Sequence, residues 1–301
     1  VTTDYLLCGL RVRSALPLRE LPQWSGSADA TVDVTIAEGW VADRLDDPVL
    51  PGRFVMVGTD GSVLLHIPDL VRLLVRNGRE IRVEILRRDA EEGWRLFLLG
   101  AGFHYLCHQR GLFPLHAASL RIGGRIVAVA GHSGSGKSTL AWALTQRGHQ
   151  LLSDDVTVLR TSPEAPPVTL PAWPRLKLWR DALDRFGIAA ADLARVRDGM
   201  EKYDLCPQAE IAPAPAPLDG IIMLDKGAEV VLLRQSPMAA VPMVRSFVHR
   251  DRVALHLGRK AALFTQAAAI ARFVPVWRLV RPMEFDCLDR TVAIIEERLA
   301  L

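Results

Sequence analysis

The chain has 301 residues, half of them apolar and 24% charged, with a formal net charge of +3. That is enough to bury a full core without disulfides, and basic residues are scattered rather than gathered into the electrostatic footprint of a nucleic-acid binder. No apolar run approaches the length of a membrane span and no leader pattern opens the chain, so a cytoplasmic protein is expected, without nucleic-acid or membrane partners. The four cysteines, Cys8, Cys107, Cys206 and Cys287, are far apart and form no CxxC pair, which argues against a zinc ribbon or a disulfide framework and fits a reducing compartment. Arginine outnumbers lysine 32 to 5.

The first ninety or so residues read as mostly β. TVDVTI alternates Val32, Val34 and Ile36, while RFVMVG and SVLLHI flank a turn at Asp60 and Gly61. A short helix is expected next: Pro68 suits its first turn, Leu70, Val71, Leu73, Leu74 and Val75 give it an apolar face, and Asn77 with Gly78 stops it. EIRVEIL then returns to strand. Residues 1–94 are thus expected to form a β-rich α+β lobe, and residues 95–301 the catalytic domain.

RLFLLGAGFHYLCHQR, residues 95–110, predicts an apolar helix closed by Gly111. His104, Cys107 and His108 lie near one face of it, but the sequence places no fourth ligand, and packing is the expected role. After residue 160 come the proline-rich connectors PEAPPVTLPAWP and APAPAPL, with residues 180–199 reading as helix between them. GIIMLD, VVLLR and PVWRLV predict strands; residues 239–247, 262–273 and LDRTVAIIEERL predict helices.

The chemistry concentrates in RIGGRIVAVAGHSGSGKSTLAWALTQRGHQLLSDDV, residues 121–156. Gly131, Gly136, Lys137 and Ser138 satisfy GxxxxGK[ST], between an apolar strand and a helix as that motif requires. Its glycines let backbone amides turn toward phosphate oxygens, the lysine reaches the outer phosphates, the serine hydroxyl can ligand Mg²⁺, and the helix N-terminus faces the anion. Gly131, Ser133, Gly134, Ser135, Gly136, Lys137, Ser138 and Thr139 are therefore the candidate nucleotide-binding residues.

Upstream, HAASLRI and RIVAVA flank Gly123 and Gly124 as a two-residue hairpin would. Facing residues then sum to 247, which carries His116 to the mouth of the loop. An antiparallel partner directly before the loop strand predicts a mixed sheet rather than the usual parallel one. Downstream, QLL leads into Ser153, Asp154 and Asp155, placing two carboxylates beside the loop; one can hold Mg²⁺ while the other accepts a proton from an attacking hydroxyl.

With His116, GHSGSGKS, and Arg147, Gly148, His149, Leu151, Asp154 and Asp155 in view, the stretch resembles the bacterial HPr kinase/phosphorylase family and its related proteins. That family's pattern is a histidine opening a hairpin, GxSGxGKS, then RGHxLxxDD. The resemblance implies a P-loop kinase core of the HPr kinase and phosphoenolpyruvate carboxykinase type, of α/β class with a mixed sheet, using ATP and Mg²⁺ and phosphorylating a serine hydroxyl. It also implies that Asp154 is the base, that Asp155 lies on the metal side with Ser138, and that His116 sits with Lys137 at the reacting centre, polarising phosphate or orienting Asp154. His149, between helix and strand, is expected to be structural. Thr139 stands where the family has an acidic residue, and the family's downstream glycine-rich signature is missing.

CGLRVRSALPLRELP, GLFPLHAASL, PAWPRLKLW and RDGMEKYDL are similar to HPr-kinase-related proteins of ribosomally made peptide pathways, including the lasso-peptide kinases. On that basis the expected partner is a peptide or small protein bearing an acceptor serine, with a small-molecule hydroxyl kinase and a nucleotide-gated peptide-binding protein as alternatives. Homo-oligomerisation stays open.

Transfer also needs positive charge beyond the loop lysine. Arg175 and Lys177, alternating in PRLKLW, are expected on one strand face toward the triphosphate. Arg195, Arg197 and Lys202 are expected on or beyond a lid helix, and Arg245, His249, Arg250 and Arg252 of SFVHRDR near an acceptor peptide. Trp173 and Trp179 flank the strand.

Overall fold

In a computed structural model of the chain, the residues described are 2–87, 93–170, 175–196, 199–205 and 214–299. Trp173, Arg197 and Cys206 lie outside them. The contacts define two compact units: Val1–Pro114 with His249–Leu263, and Leu115–Val248 with Phe264–Leu301. The division falls after Pro114 rather than at the expected 94/95, because the helix following residue 93 packs on strands of the first unit.

In the first unit, β1 (Thr3–Leu7), β2 (Leu10–Ser14), β3 (Val34–Glu38), β4 (Val55–Val57), β5 (Val63–Ile67), β6 (Val71–Arg76) and β7 (Glu80–Ile85) form one seven-stranded sheet in the order β1-β2-β3-β7-β6-β5-β4. β6 corrects the helix expected at residues 68–77. It pairs antiparallel with both β5 and β7, burying Val71, Leu73 and Val75 on one face. Leu74, on the other face, packs against a small cluster of Val41, Met56 and Leu64. With both faces partly covered, the strand carries apolar residues at consecutive positions and mimics helical spacing. Asn77 and Gly78, both at positive φ, make the hairpin turn into β7 instead of ending a helix.

The helix over residues 93–109 is α1 (Gly93–Phe97), a π segment Leu98–Gly102, and α2 (Phe103–Gln109). His104 and His108 are committed to backbone carbonyls, of Gly100 and of His249 respectively, the latter at 2.7 Å. Among the described residues no three of His, Cys, Asp or Glu gather as a metal site there.

The second unit takes up the chain within β8 (Phe113–Leu115), then β9 (Ala117–Ile122), β10 (Arg125–Ala130), α3 (Lys137–Gln146), β11 (Gln150–Ser153), β12 (Thr157–Arg160), β13 (Val168–Thr169) and β14 (Leu176–Trp179). α4 (Arg180–Arg185), β15 (Lys202–Leu205), β16 (Ala216–Pro217), β17 (Gly220–Lys226), β18 (Val231–Arg234) and α5 (Pro237–Ser246) follow. α6 (Asp251–His256), which the sequence did not suggest, belongs to the first unit; α7 (Lys260–Phe273), β19 (Val276–Arg281) and α8 (Leu288–Leu299) complete the chain. The helix expected over 180–199 shrinks to α4 and one 3₁₀ turn at Ala190–Asp192, because the chain leaves helical geometry at Gly187, whose φ is +68°.

The site rests on a six-stranded mixed sheet in the order β11-β9-β10-β17-β19-β18. β9 and β10 form the Gly123–Gly124 hairpin in the expected register, Ile122 opposite Arg125 and Ala117 opposite Ala130. β10, β17 and β19 run parallel, so Gly131, Lys226 and Arg281 emerge at one edge. Leu140 and Leu144 of α3 are fully buried against this sheet. At about 2 kcal/mol per buried leucine, they hold the helix with its N-terminus at that edge.

Candidate active site

The loop between β10 and α3 has Gly134 and Gly136 at φ +80°, in the left-handed region. Gly136 is the N-cap of α3, and no side chain caps the first turn, so its N–H groups and the helix dipole face outward as an anion site. A Cβ on Gly136 would collide with the Arg281 guanidinium, and one on Gly131 with Ser135. Arg281 is buried at the end of β19 and donates to the Ser135 carbonyl at 2.9 Å. Burial lowers its pKa from the usual arginine range.

Lys137 is buried, and its ammonium reaches Gly131 O at 2.7 Å, His132 O at 3.2 Å and His116 Nε2 at 3.1 Å. Burial lowers its pKa, opposed by the charges of Asp155 and Asp154. His116 is held by its own backbone N–H donating to Phe247 O at 2.7 Å, and its Nδ1 lies 2.9 Å from the Asp155 carbonyl.

The two aspartates divide differently from expectation. Ser138 Oγ donates to Asp154, 3.2 Å from Oδ1 and 3.4 Å from Oδ2, and the Lys177 backbone N–H donates to Asp154 Oδ2 at 3.0 Å. Asp155, expected beside Ser138, is instead exposed, sits at φ +70°, and places Oδ1 3.4 Å from His116 Nδ1. Burial raises the Asp154 pKa above the usual carboxylate value, reinforced by the Asp155 charge. One carboxylate joined to one hydroxyl is the hard-oxygen set that magnesium takes from a protein when phosphates and waters complete its shell.

A cavity of about 850 Å³ opens over the loop. Its lining includes His116, at the start of the hairpin, Ser133 and Gly134 of the loop, Thr139 of α3, Asp155 and Lys177. Lys177 of β14 is half-buried and burial lowers its pKa, opposed by Asp155 and Asp154. Arg175, expected to share its task, instead forms an ion pair with Asp204 on β15, the strand beside it. Lys202 lines the cavity from β15, with Nζ 5.6 Å from the Trp179 ring centroid. Arg195 pairs with Glu201 at 2.8 Å. His249, Arg250 and Arg252 fall in the first unit, whereas Arg245 falls in the second. His149 and Arg147 both meet Glu296 of α8, a structural tie.

Arg281 and Lys226 escaped the sequence reading. Their signal was position: each closes a strand parallel to the loop strand, and ligands of open α/β sheets gather beyond those carboxyl ends.

No protein-family model matches the chain, and no curated protein matches it. Among solved structures, it is similar to the Hpr(Ser) kinase/phosphatase from Coxiella burnetii, with 16% identity and a TM-score of 0.33, over 62% of this chain and 95% of that one. At that level of similarity the residues' roles rest on their own geometry.

Proposed function

We propose that the protein is an ATP-dependent kinase that transfers the γ-phosphate to a serine hydroxyl of a peptide, with precursor peptides of ribosomal origin as the substrate class. The observation that carries this reading is the convergence of Lys137, His116, the Ser138–Asp154 pair and Asp155 on one uncapped helix N-terminus. A binding module needs the amide cradle and a metal ligand. It has no use for a histidine and a further carboxylate at the loop mouth.

In this reading the loop amides and Lys137 bind the outer phosphates, and Lys177 and Lys202 add positive charge across the cavity. Arg281 keeps the loop in shape through Ser135. Trp179, Met283 and Phe285 give the cavity an apolar surface for a nucleobase. Magnesium, held by Ser138 and Asp154, would neutralise charge on the phosphates. A peptide acceptor is supported by the likeness of CGLRVRSALPLRELP, GLFPLHAASL, PAWPRLKLW and RDGMEKYDL to HPr-kinase-related proteins of ribosomally made peptide pathways.

The test is intact mass of a synthetic peptide carrying a serine near its C-terminus, after incubation with MgATP and the protein. A gain of one phosphate with wild type and none with Lys137→Ala is the expected outcome. ATP consumed with the peptide unchanged would move the acceptor to a small-molecule hydroxyl.

A further inference from the structure

We propose that His116, acting through Nε2, is the general base that takes the acceptor's proton; this rests on the phosphotransfer reading and names a group within it. An ammonium has three N–H groups, and those of Lys137 are directed at Gly131 O, His132 O and His116 Nε2. Nε2 therefore accepts from Lys137 through its lone pair, which places the ring proton on Nδ1. That proton has its own partner, the Asp155 carbonyl at 2.9 Å, with Asp155 Oδ1 at 3.4 Å adding negative charge beside it.

A histidine fixed through Nδ1 by a backbone carbonyl and a carboxylate, with Nε2 turned to the reacting centre, is the arrangement in which imidazole accepts protons. Asp155 presents its carbonyl from φ +70°, in the left-handed region that aspartate enters more readily than most non-glycine residues.

The competing base Asp154 is otherwise engaged. Both oxygens of Asp154 face Ser138 Oγ, and Oδ2 also accepts from the Lys177 amide. The Asp155 carboxylate reaches the Nδ1 side of the ring, with Oδ1 3.4 Å from that nitrogen. The charged groups around the imidazole are Lys137 on α3 and Asp155 after β11, with Lys177 of β14 and Lys202 of β15 lining the same cavity.

When Lys137 engages the phosphates, the lone pair it occupied is released next to them. The acceptor hydroxyl then gives its proton to Nε2 as its oxygen bonds the γ-phosphorus. The bond from γ-phosphorus to the bridging oxygen breaks, its electron pair leaving on ADP. The imidazolium proton passes to solvent as products depart.

The experiment measures inorganic phosphate released from MgATP with water as acceptor, alongside peptide mass, for wild type, His116→Ala and His116→Asn. Phosphate release should fall by roughly 10²- to 10⁴-fold in both variants. Added imidazole should restore it in His116→Ala, and 4-methylimidazole, the stronger base, should restore more. Asparagine can keep a donor toward the Asp155 carbonyl but cannot accept the proton. An asparagine variant within about threefold of wild type, or a rescue independent of basicity or absent in a variant that still binds MgATP, overturns the proposal. Wild-type phosphate release with an unmodified peptide would reject the peptide acceptor while leaving the base testable. Release from neither acceptor would reject both.

Discussion

Asp4 shows what a single carboxylate does in the first unit. Arg13 Nε and Arg11 Nε each donate to it at 2.8 Å, and the Arg11 side chain is nearly sealed from solvent. Hydrogen bonding from Arg13 chiefly lowers its pKa from 3.8 to about 2, with burial opposing and Arg11 adding to the lowering. Because the folded value is depressed, this stabilisation is present above pH 3.8 and is lost as pH falls toward 2. Asp4→Asn is expected to destabilise the protein by roughly 1–3 kcal/mol at pH 7, since a buried guanidinium loses its partner. Thermal melts should show the gap between variant and wild type closing across that acid window. At this scale the sequence was most informative about the site: Lys137, Ser138, His116 and both aspartates came together. What it could not distinguish was which aspartate meets Ser138, because adjacent residues differ only in the turn geometry that Asp155 adopts at φ +70°.

Elements were legible wherever local chemistry alone decides them. The Gly123–Gly124 hairpin fixes its own register, so the arrival of His116 at the loop could be counted off residue by residue. β6 does not read as a strand because its two covered faces erase the alternation that marks one. The π segment at Leu98–Gly102 left no periodic trace in an apolar helix. The loop itself carries a sharp expectation: Gly136→Ala must place a Cβ at φ +80° and against Arg281. Melting without ligand should change modestly, while the rise in Tm produced by MgATP should be lost; a full rise in the variant would mean that the cradle is not the anion site.

At the scale of the whole molecule, strand order was the hidden variable. β17 lies beside the loop strand, and β19 beside β17, only because the chain crosses the sheet, and no local pattern announces which of several apolar strands will lie beside which. Arg281 and Lys226 therefore became visible as site residues only in the fold. The unit division was hidden for a similar reason, since His249–Leu263 returns to the first unit from far along the sequence. Among the described residues no helix is long and apolar enough to cross a membrane.

If the loop, Ser138 and Asp154 form one magnesium–nucleotide site, calorimetric titration of ATP into wild type and Asp154→Asn, with and without Mg²⁺, will separate the two proteins. Mg²⁺ should strengthen ATP binding by wild type at least about tenfold, or 1.4 kcal/mol, and do so little or not at all in Asp154→Asn. Equal magnesium dependence in the two proteins, or no ATP binding by wild type, would contradict a shared site.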